Sequence, residues 1–365
     1  MRILLVNTVP TERNGITNVM LNYLKAIGDK NIIFDWLSIN EPENIYKEIV
    51  ESRKGKLYVC PRSKKSIFNY FKKFRKIIIT NKYDVVHIHG NSHTLILDLI
   101  ICIIAKRKIR LVHSHNTSCN HRVIHKLLAP IFHLFYTHGF ACGYAAGKWM
   151  FGNKPFTVIN NGVDTNVFAF NSQIRNQYRL KLRYKSDNIV IGNVGYFSPV
   201  KNQSFIVDIF YELTKNNTQY RLLLIGEGEL RTALQTKVRS LGIEDYVIFT
   251  GNVDNVADYL NAMDLILMPS LHEGLPLSLI EQQANGLTCV VSDAISKEVD
   301  KTGNVVFLPL ESSASMWADY IELLQCHKDR SQKSQEAIDS IIRNGYCIRK
   351  EAEKLADVYN RYLNI

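Results

Sequence analysis

The chain has 365 residues, more than one ordinary core holds and suited to two domains of common size. With 46% hydrophobic and 22% charged residues the composition excludes a disordered chain. The net charge of +11 asks for an anionic partner.

Strand-like and helix-like patterns alternate from the start. Met1-Arg2 runs straight into Ile3-Leu4-Leu5-Val6, so the first strand spans 2–7, and no secretory signal precedes it. A loop over 8–14 follows, and then Ile16, Val19, Met20, Tyr23, Leu24 and Ile27 fall on one helical face. Strands are expected at 33–39, 57–60, 84–89, 110–113, 140–143 and 157–159, with helical patterns between most of them. The longest apolar stretch, 95–105, carries Asp98 and falls short of the roughly 20 residues of a membrane span, so it reads as a buried helix.

The turn-rich run Asn160-Asn161-Gly162-Val163-Asp164-Thr165-Asn166 interrupts the alternation. Strands then resume at 189–195, 221–226, 246–250, 265–269, 288–292 and 305–308, and the last third is helical. The pattern predicts an α/β protein of two doubly wound domains, 1–165 and 166–345, with a final helix over 346–365 packing back on the first. Ligands of such sheets bind at the carboxyl ends of the strands, so a central cleft between two facing domains is expected. Seven scattered cysteines, Cys60, Cys102, Cys119, Cys142, Cys289, Cys326 and Cys347, form no C-x-x-C pair. A reducing, cytosolic setting follows from their odd number and spacing.

Much of the positive charge lies in two runs. The first is Arg62, Lys64, Lys65, Lys72, Lys73, Arg75 and Lys76; the second is Lys106, Arg107, Lys108 and Arg110. Phe68, Phe71, Phe74 and Ile78 recur at helical spacing through the first. Such a basic amphipathic helix can lie on an anionic membrane surface, or its apolar side can pack on its own domain. No nucleic-acid motif accompanies the charge, so nucleic acid is not an expected partner.

The densest cluster of chemical signals is Glu273-Gly274-Leu275-Pro276-Leu277-Ser278-Leu279-Ile280-Glu281. It follows an apolar strand and opens a helix, with Pro276 suited to the first helical position. A glycine lets backbone approach a ligand, and unpaired amides at a helix start favour anionic or hydroxyl-rich groups. Glu273 falls on the loop and Glu281 inside the helix. The paired histidines His87/His89 and His113/His115, with His93, His121 and His125 nearby, raise a competing metal-hydrolase reading. No convergent set of Asp ligands accompanies them. Gly226-Glu227-Gly228 resembles a dinucleotide fingerprint, but Arg231 stands where a third glycine would be expected.

The Glu273–Glu281 segment resembles the E-x7-E motif of retaining glycosyltransferases of family four, which have the GT-B fold. Asn14-Gly15 resembles that family's glycine loop, and Asn160-Asn161-Gly162-Val163-Asp164 its inter-domain segment. Gly195-Tyr196-Phe197-Ser198-Pro199-Val200-Lys201-Asn202 resembles its diphosphate loop, and Phe249-Thr250-Gly251 precedes its base-binding turn. The likeness is to the capsule and exopolysaccharide branch and runs through almost the whole chain.

The resemblance implies a donor site and a set of roles. Gly15 would bring amides to the donor phosphates, and Lys201 would neutralise the diphosphate leaving group. Glu281 would hold the ribose, and Asn252 and Val253 would line the base pocket. Glu273 would hold hydroxyls of the transferred sugar, aided by amides from Gly274, Leu275, Pro276 and Leu277 (Pro276 itself lends no N–H). His115 stands where the family places a histidine contacting that sugar. Tyr196 departs from the family's arginine in the diphosphate loop and supplies no charge.

Further expectations follow from the same resemblance. The chain would be a metal-independent hexosyltransferase-type enzyme without a cofactor, the nucleotide-sugar being a co-substrate. UDP is the expected nucleotide, a polyprenyl-linked saccharide the expected acceptor, and the inner face of the cell membrane the expected place. Alternatives are a nucleotide-sugar 2-epimerase of the same fold and an inactive partner in a polysaccharide-assembly complex.

Overall fold

The computed structural model describes residues 1–28, 31–63, 66–324 and 329–363. Lys64, Lys65, Cys326 and the last two residues of the expected terminal helix lie outside the described residues. The chain divides into two compact units, Met1–Gly162 with Ile348–Ile365, and Val163–Cys347.

In the first unit seven parallel strands, β1 (Arg2–Asn7), β2 (Ile33–Ser38), β3 (Leu57–Val59), β4 (Val85–His89), β5 (Ile109–Ser114), β6 (His138–Ala141) and β7 (Thr157–Val158), run in the order β3-β2-β1-β4-β5-β6-β7. Ile3, Leu4, Leu5 and Val6 are all buried, so both faces of β1 are covered. A central parallel strand therefore reads as an unbroken apolar run rather than an alternating one. The Gly15–Ala26 helix begins on the side chain of Asn14, whose Oδ1 accepts the Thr17 amide at 3.0 Å. The Ile348–Leu363 helix packs against it.

The second unit repeats the plan. Its strands β8 (Ile189–Val194), β9 (Tyr220–Ile225), β10 (Val247–Gly251), β11 (Leu265–Met268), β12 (Thr288–Ser292) and β13 (Val305–Leu308) run β10-β9-β8-β11-β12-β13. In each sheet the order reverses once, between β1 and β4 and between β8 and β11. Those reversals leave a crevice at the strands' carboxyl ends, where open α/β sheets take ligands.

Two sequence features resolve locally. The apolar stretch around Asp98 is the nine-residue helix Ile96–Ile104, with Leu99, Ile101 and Cys102 buried but Ile103 and Ile104 exposed. Asp98 is fully buried, held by Arg62 at 2.9 Å and by the Tyr70 hydroxyl. The Ile67–Asn81 helix buries Tyr70, Phe74, Ile77 and Ile78 against its own sheet, which leaves Phe68, 81% exposed, as its outlying aromatic. Of the two readings of that helix, packing on its own domain is the one observed for Phe74 and Ile78. No helix among the described residues is long and apolar enough to cross a membrane. The six described cysteines are all free.

Candidate functional site

In the second unit the loops after β8 and β11 are tied together by backbone. The Leu271 amide donates to the Val200 carbonyl at 2.8 Å, and the Asn202 side-chain amide donates to the Pro269 carbonyl at 3.2 Å. Asn202 has φ of 54°, a left-handed turn that ends the Pro199–Lys201 single-turn helix. This stitching brings the Lys201 ammonium onto the Glu273 carboxylate as an ion pair, with both side chains half-buried. The Lys201 stem lies over Gly195: a β-carbon there would sit 3.7 Å from its Cε.

Glu281 is the fifth residue of the Leu277–Ala284 helix. Burial pushes its carboxyl up to about 7. Pro276 stands one place earlier than expected: its ψ of 114° is extended, and the helix begins at Leu277. Leu275 and Leu277 pack against the unit's core while Gly274 is exposed.

Gly274 has neither a left-handed φ nor a neighbour within 4 Å of where a β-carbon would stand. Gly15, at the first position of its helix, shares both properties. Nothing in the chain itself requires glycine at either place. Gly274→Ala is therefore expected to leave the melting temperature unchanged while weakening binding of a nucleotide-sugar by about tenfold or more; calorimetry on folded protein checks both.

Gly226 has the opposite cause, since a β-carbon there would meet the Gly195 carbonyl oxygen at 2.0 Å. The turn it opens packs on the β8 loop, where the Phe197 amide donates to the Glu227 carbonyl at 2.8 Å. Gly226-Glu227-Gly228 thus supports the β8 loop. Tyr196 is 60% exposed, and its carbonyl accepts the Gln203 side-chain amide. Asn252 and Val253 follow directly on β10, Asn252 exposed and Val253 partly packed on the core.

In the first unit His115 lies one residue past β5. Its Nε2 is 2.9 Å from Nδ1 of His89, its amide donates to Oδ1 of Asn91, and burial pushes it down to about 3. The imidazole is therefore neutral at pH 7. Asn91 escaped the sequence reading, although its place just after β4, at the sheet's reversal, was a usable signal.

Nitrogen atoms of His87, His89 and His113 lie within 4.8 Å of one another. The rings of His87 and His113 are stacked, 5° from parallel, while that of His89 is tilted by 32° to the first and 30° to the second. In-plane lone pairs of the stacked His87 and His113 rings run side by side, whereas the ligands of a tetrahedral site converge on one ion. Among the described residues no carboxylate joins this group.

His93 and His125 form a separate stack at 3.7 Å, with His93 held by the carbonyls of His125 and Met150. These are packing interactions. His121 is exposed at the start of the Arg122–Phe132 helix.

Comparison with known proteins agrees with this layout. The family model described as Glycosyltransferase Family 4 matches residues 13–167, and that described as Glycosyl transferases group 1 matches 188–326. A Bacillus subtilis protein named as glycosyltransferase EpsF is 28% identical over 362 residues, covering 95% of this chain and 94% of the relative. The Escherichia coli UDP-Gal:alpha-D-GlcNAc-diphosphoundecaprenol alpha-1,3-galactosyltransferase is 26% identical over 318 residues, covering 81% and 79%. Among solved structures, Anabaena HepE in complex with UDP superposes with a TM-score of 0.79 at 17% identity, covering 99% of this chain and 100% of that one. The same protein with UDP-glucose gives 0.77 at 19%, with the same coverage. At such identities the structural likeness carries the GT-B fold alone.

Proposed function

Because the chain belongs to glycosyltransferase family four and is a glycosyltransferase related to enzymes of polysaccharide biosynthesis, we propose that it moves a sugar from a UDP-sugar to a polyprenyl-linked saccharide. The observation that carries this reading is the Lys201–Glu273 pair at the β8/β11 reversal, with Glu281 in the adjoining helix. The pair sets an ammonium beside a carboxylate, and the reading gives the first to the diphosphate and the second to sugar hydroxyls. The names of relatives support the donor and acceptor: one acts with UDP-Gal on a diphosphoundecaprenol-linked sugar, and the Anabaena neighbour binds UDP and UDP-glucose.

The chemistry we propose is transfer with retention, without metal or cofactor. The acceptor oxygen attacks the anomeric carbon on the face from which the diphosphate departs. The bond between that carbon and the phosphate oxygen breaks through an oxocarbenium-like state. The departing oxygen takes the acceptor proton, and Lys201 with the first amides of the Leu277–Ala284 helix steadies the leaving charge. Glu273 holds hydroxyls of the transferred sugar, Glu281 the ribose, and Asn252 and Val253 the base. In the first unit, Gly15 lends amides to the phosphates and the neutral His115 contacts the transferring sugar. The reading places the enzyme in the cytoplasm, at the inner face of the cell membrane.

Glu281 gives the donor site a pH dependence. The ionised carboxylate accepts both ribose hydroxyls, and its carboxyl titrates at about 7. Affinity for a UDP-sugar, whose diphosphate does not titrate in this range, should fall about tenfold from pH 8 to pH 6. Glu281→Gln should weaken binding and flatten the profile; an unchanged slope in that variant would count against the assignment. The stability linkage has the opposite sign. A carboxyl whose folded value lies above its unfolded one loses its contribution as pH rises from about 4.5 to about 7.

The direct test is a thermal-shift series of UDP-, GDP-, ADP- and CMP-sugars in EDTA. Stabilisation by UDP-sugars that survives chelation supports the reading. Stabilisation by another nucleotide family replaces the base, and dependence on metal removes the metal-free chemistry.

A further inference from the structure

The carboxyl end of β4 holds His115 from two sides. Asn91, two residues past the strand, accepts the His115 amide on Oδ1 at 3.0 Å. His89, the strand's last residue, sets its Nδ1 2.9 Å from Nε2 of the His115 ring. The backbone of His89 is itself pinned: its carbonyl accepts the Thr8 hydroxyl at 2.6 Å and the Thr8 amide at 3.3 Å. Beside it the Gly90 amide donates to the His113 carbonyl at 3.1 Å. The His89 ring is 4% exposed and packs against those of His87 and His113, at 4.3 and 5.3 Å between centroids. A fixed imidazole thus meets a half-buried one.

Burial pushes both imidazoles below their ordinary range, so both are neutral at pH 7. A neutral imidazole carries one N–H and one lone pair, and two facing nitrogens need one of each. The two tautomers are therefore coupled, and only two arrangements exist. In one, His115 donates from Nε2, and His89 carries its proton on its own Nε2, a buried atom without a partner among the described residues. In the other, His89 donates from Nδ1, and His115 carries its proton on Nδ1, equally without a partner among them. What separates the two is the acceptor that can arrive. His89 is enclosed, whereas His115 stands past the end of β5, where sheets of this kind take ligands. A buried N–H left without an acceptor carries the full desolvation cost of the group. Only the second arrangement lets a bound sugar relieve that cost.

We propose that His89 is a positioning residue of the transfer: it donates from Nδ1 to Nε2 of His115, orients that ring, and keeps its remaining N–H, on Nδ1, for a hydroxyl of the transferred sugar. This deepens the donor-site reading and rests on its assignment of His115. The other two rings of the row serve packing. Neither nitrogen of His113 has a partner among the described residues, and Nδ1 of His87 faces the Tyr359 hydroxyl at 2.6 Å.

Two measurements on the full chain test it. NMR of protein carrying isotope-labelled histidine reads the tautomers with no nucleotide-sugar present. Nδ1 should be the protonated nitrogen in both His89 and His115, and Nε2 the bare one. Kinetics then reads UDP release from UDP-galactose and UDP-glucose with a polyprenyl-diphosphate-linked saccharide. His89→Phe, which fills the same place without a hydrogen-bond donor, should lower turnover about tenfold or more and leave affinity for UDP alone unchanged. His89→Asn should recover most of that loss, because its Nδ2 stands two bonds from Cβ as the imidazole Nδ1 does. In a His115→Ala background His89→Phe should cost nothing further, a result that a merely structural role would not produce.

A His115 proton on Nε2 overturns the proposal. So does a His89→Phe protein that turns over like wild type, a His89→Asn protein as slow as His89→Phe, or a His89→Phe loss undiminished in the His115→Ala background. Should His89→Phe not fold, the wild-type tautomers still decide. Wild-type protein that binds neither UDP nor either UDP-sugar would instead overturn the donor-site reading, a separate failure that the tautomers do not register.

Discussion

Lys201→Ala is expected to lower turnover by about 10²–10³, and Glu273→Ala by a similar factor, without unfolding the protein. Without donor the two side chains neutralise each other across the β8 and β11 loops. An arriving diphosphate competes for the ammonium, and the released carboxylate turns to hydroxyls of the sugar. Removing Lys201 takes away the cation facing the leaving group and leaves Glu273 unpaired in a half-buried place. Its effect should include a large loss of donor affinity, whereas Glu273→Ala should fall more on kcat. Residues acting as a unit are not additive, so the double variant should be little worse than the poorer single one. Steady-state kinetics with circular-dichroism melting checks this. Turnover within about threefold of wild type, with a lowered Tm, would make the pair a structural tie only.

Asp98→Ala is expected to destabilise the protein by about 3–5 kcal/mol. Asp98 is fully buried, and its two oxygens accept from the Arg62 guanidinium and the Tyr70 hydroxyl. Removing it strands a largely buried cation, whose proton affinity Asp98 raises, and a buried phenol. Replacing the pair together, Asp98→Leu with Arg62→Met, should recover part of the loss, because apolar side chains need no partner. Denaturant melts of the three proteins decide it. A loss below about 1 kcal/mol for Asp98→Ala would show that water satisfies Arg62 in its place.

The strands were legible because parallel strands covered on both faces print as short apolar runs between turn residues. The run at β12, Thr288–Ser292, falls where the sequence places it. The carboxylates Glu273 and Glu281 were legible through their spacing around Gly274 and Pro276. What local pattern cannot carry is partnership at a distance. Arg62 finds Asp98 36 positions away, and Lys201 meets Glu273 only because Leu271 hydrogen-bonds Val200.

Periodicity also cannot say what an apolar face packs against. Phe74 and Ile78 looked as suited to a membrane as to a core, and both are core. Pro276 shows the limit at an element's end, since a fixed φ does not choose ψ.

The central claim is the reaction itself, and product analysis meets it most directly. The purified chain would be incubated in EDTA with a UDP-sugar and a polyprenyl-diphosphate-linked saccharide, and the product's anomeric configuration read by NMR. The account predicts a new glycoside with the donor's configuration retained, formed with release of UDP and abolished by Glu273→Ala. An inverted linkage, an epimerised UDP-sugar with no glycoside, or a rate unaffected by Glu273→Ala would contradict it.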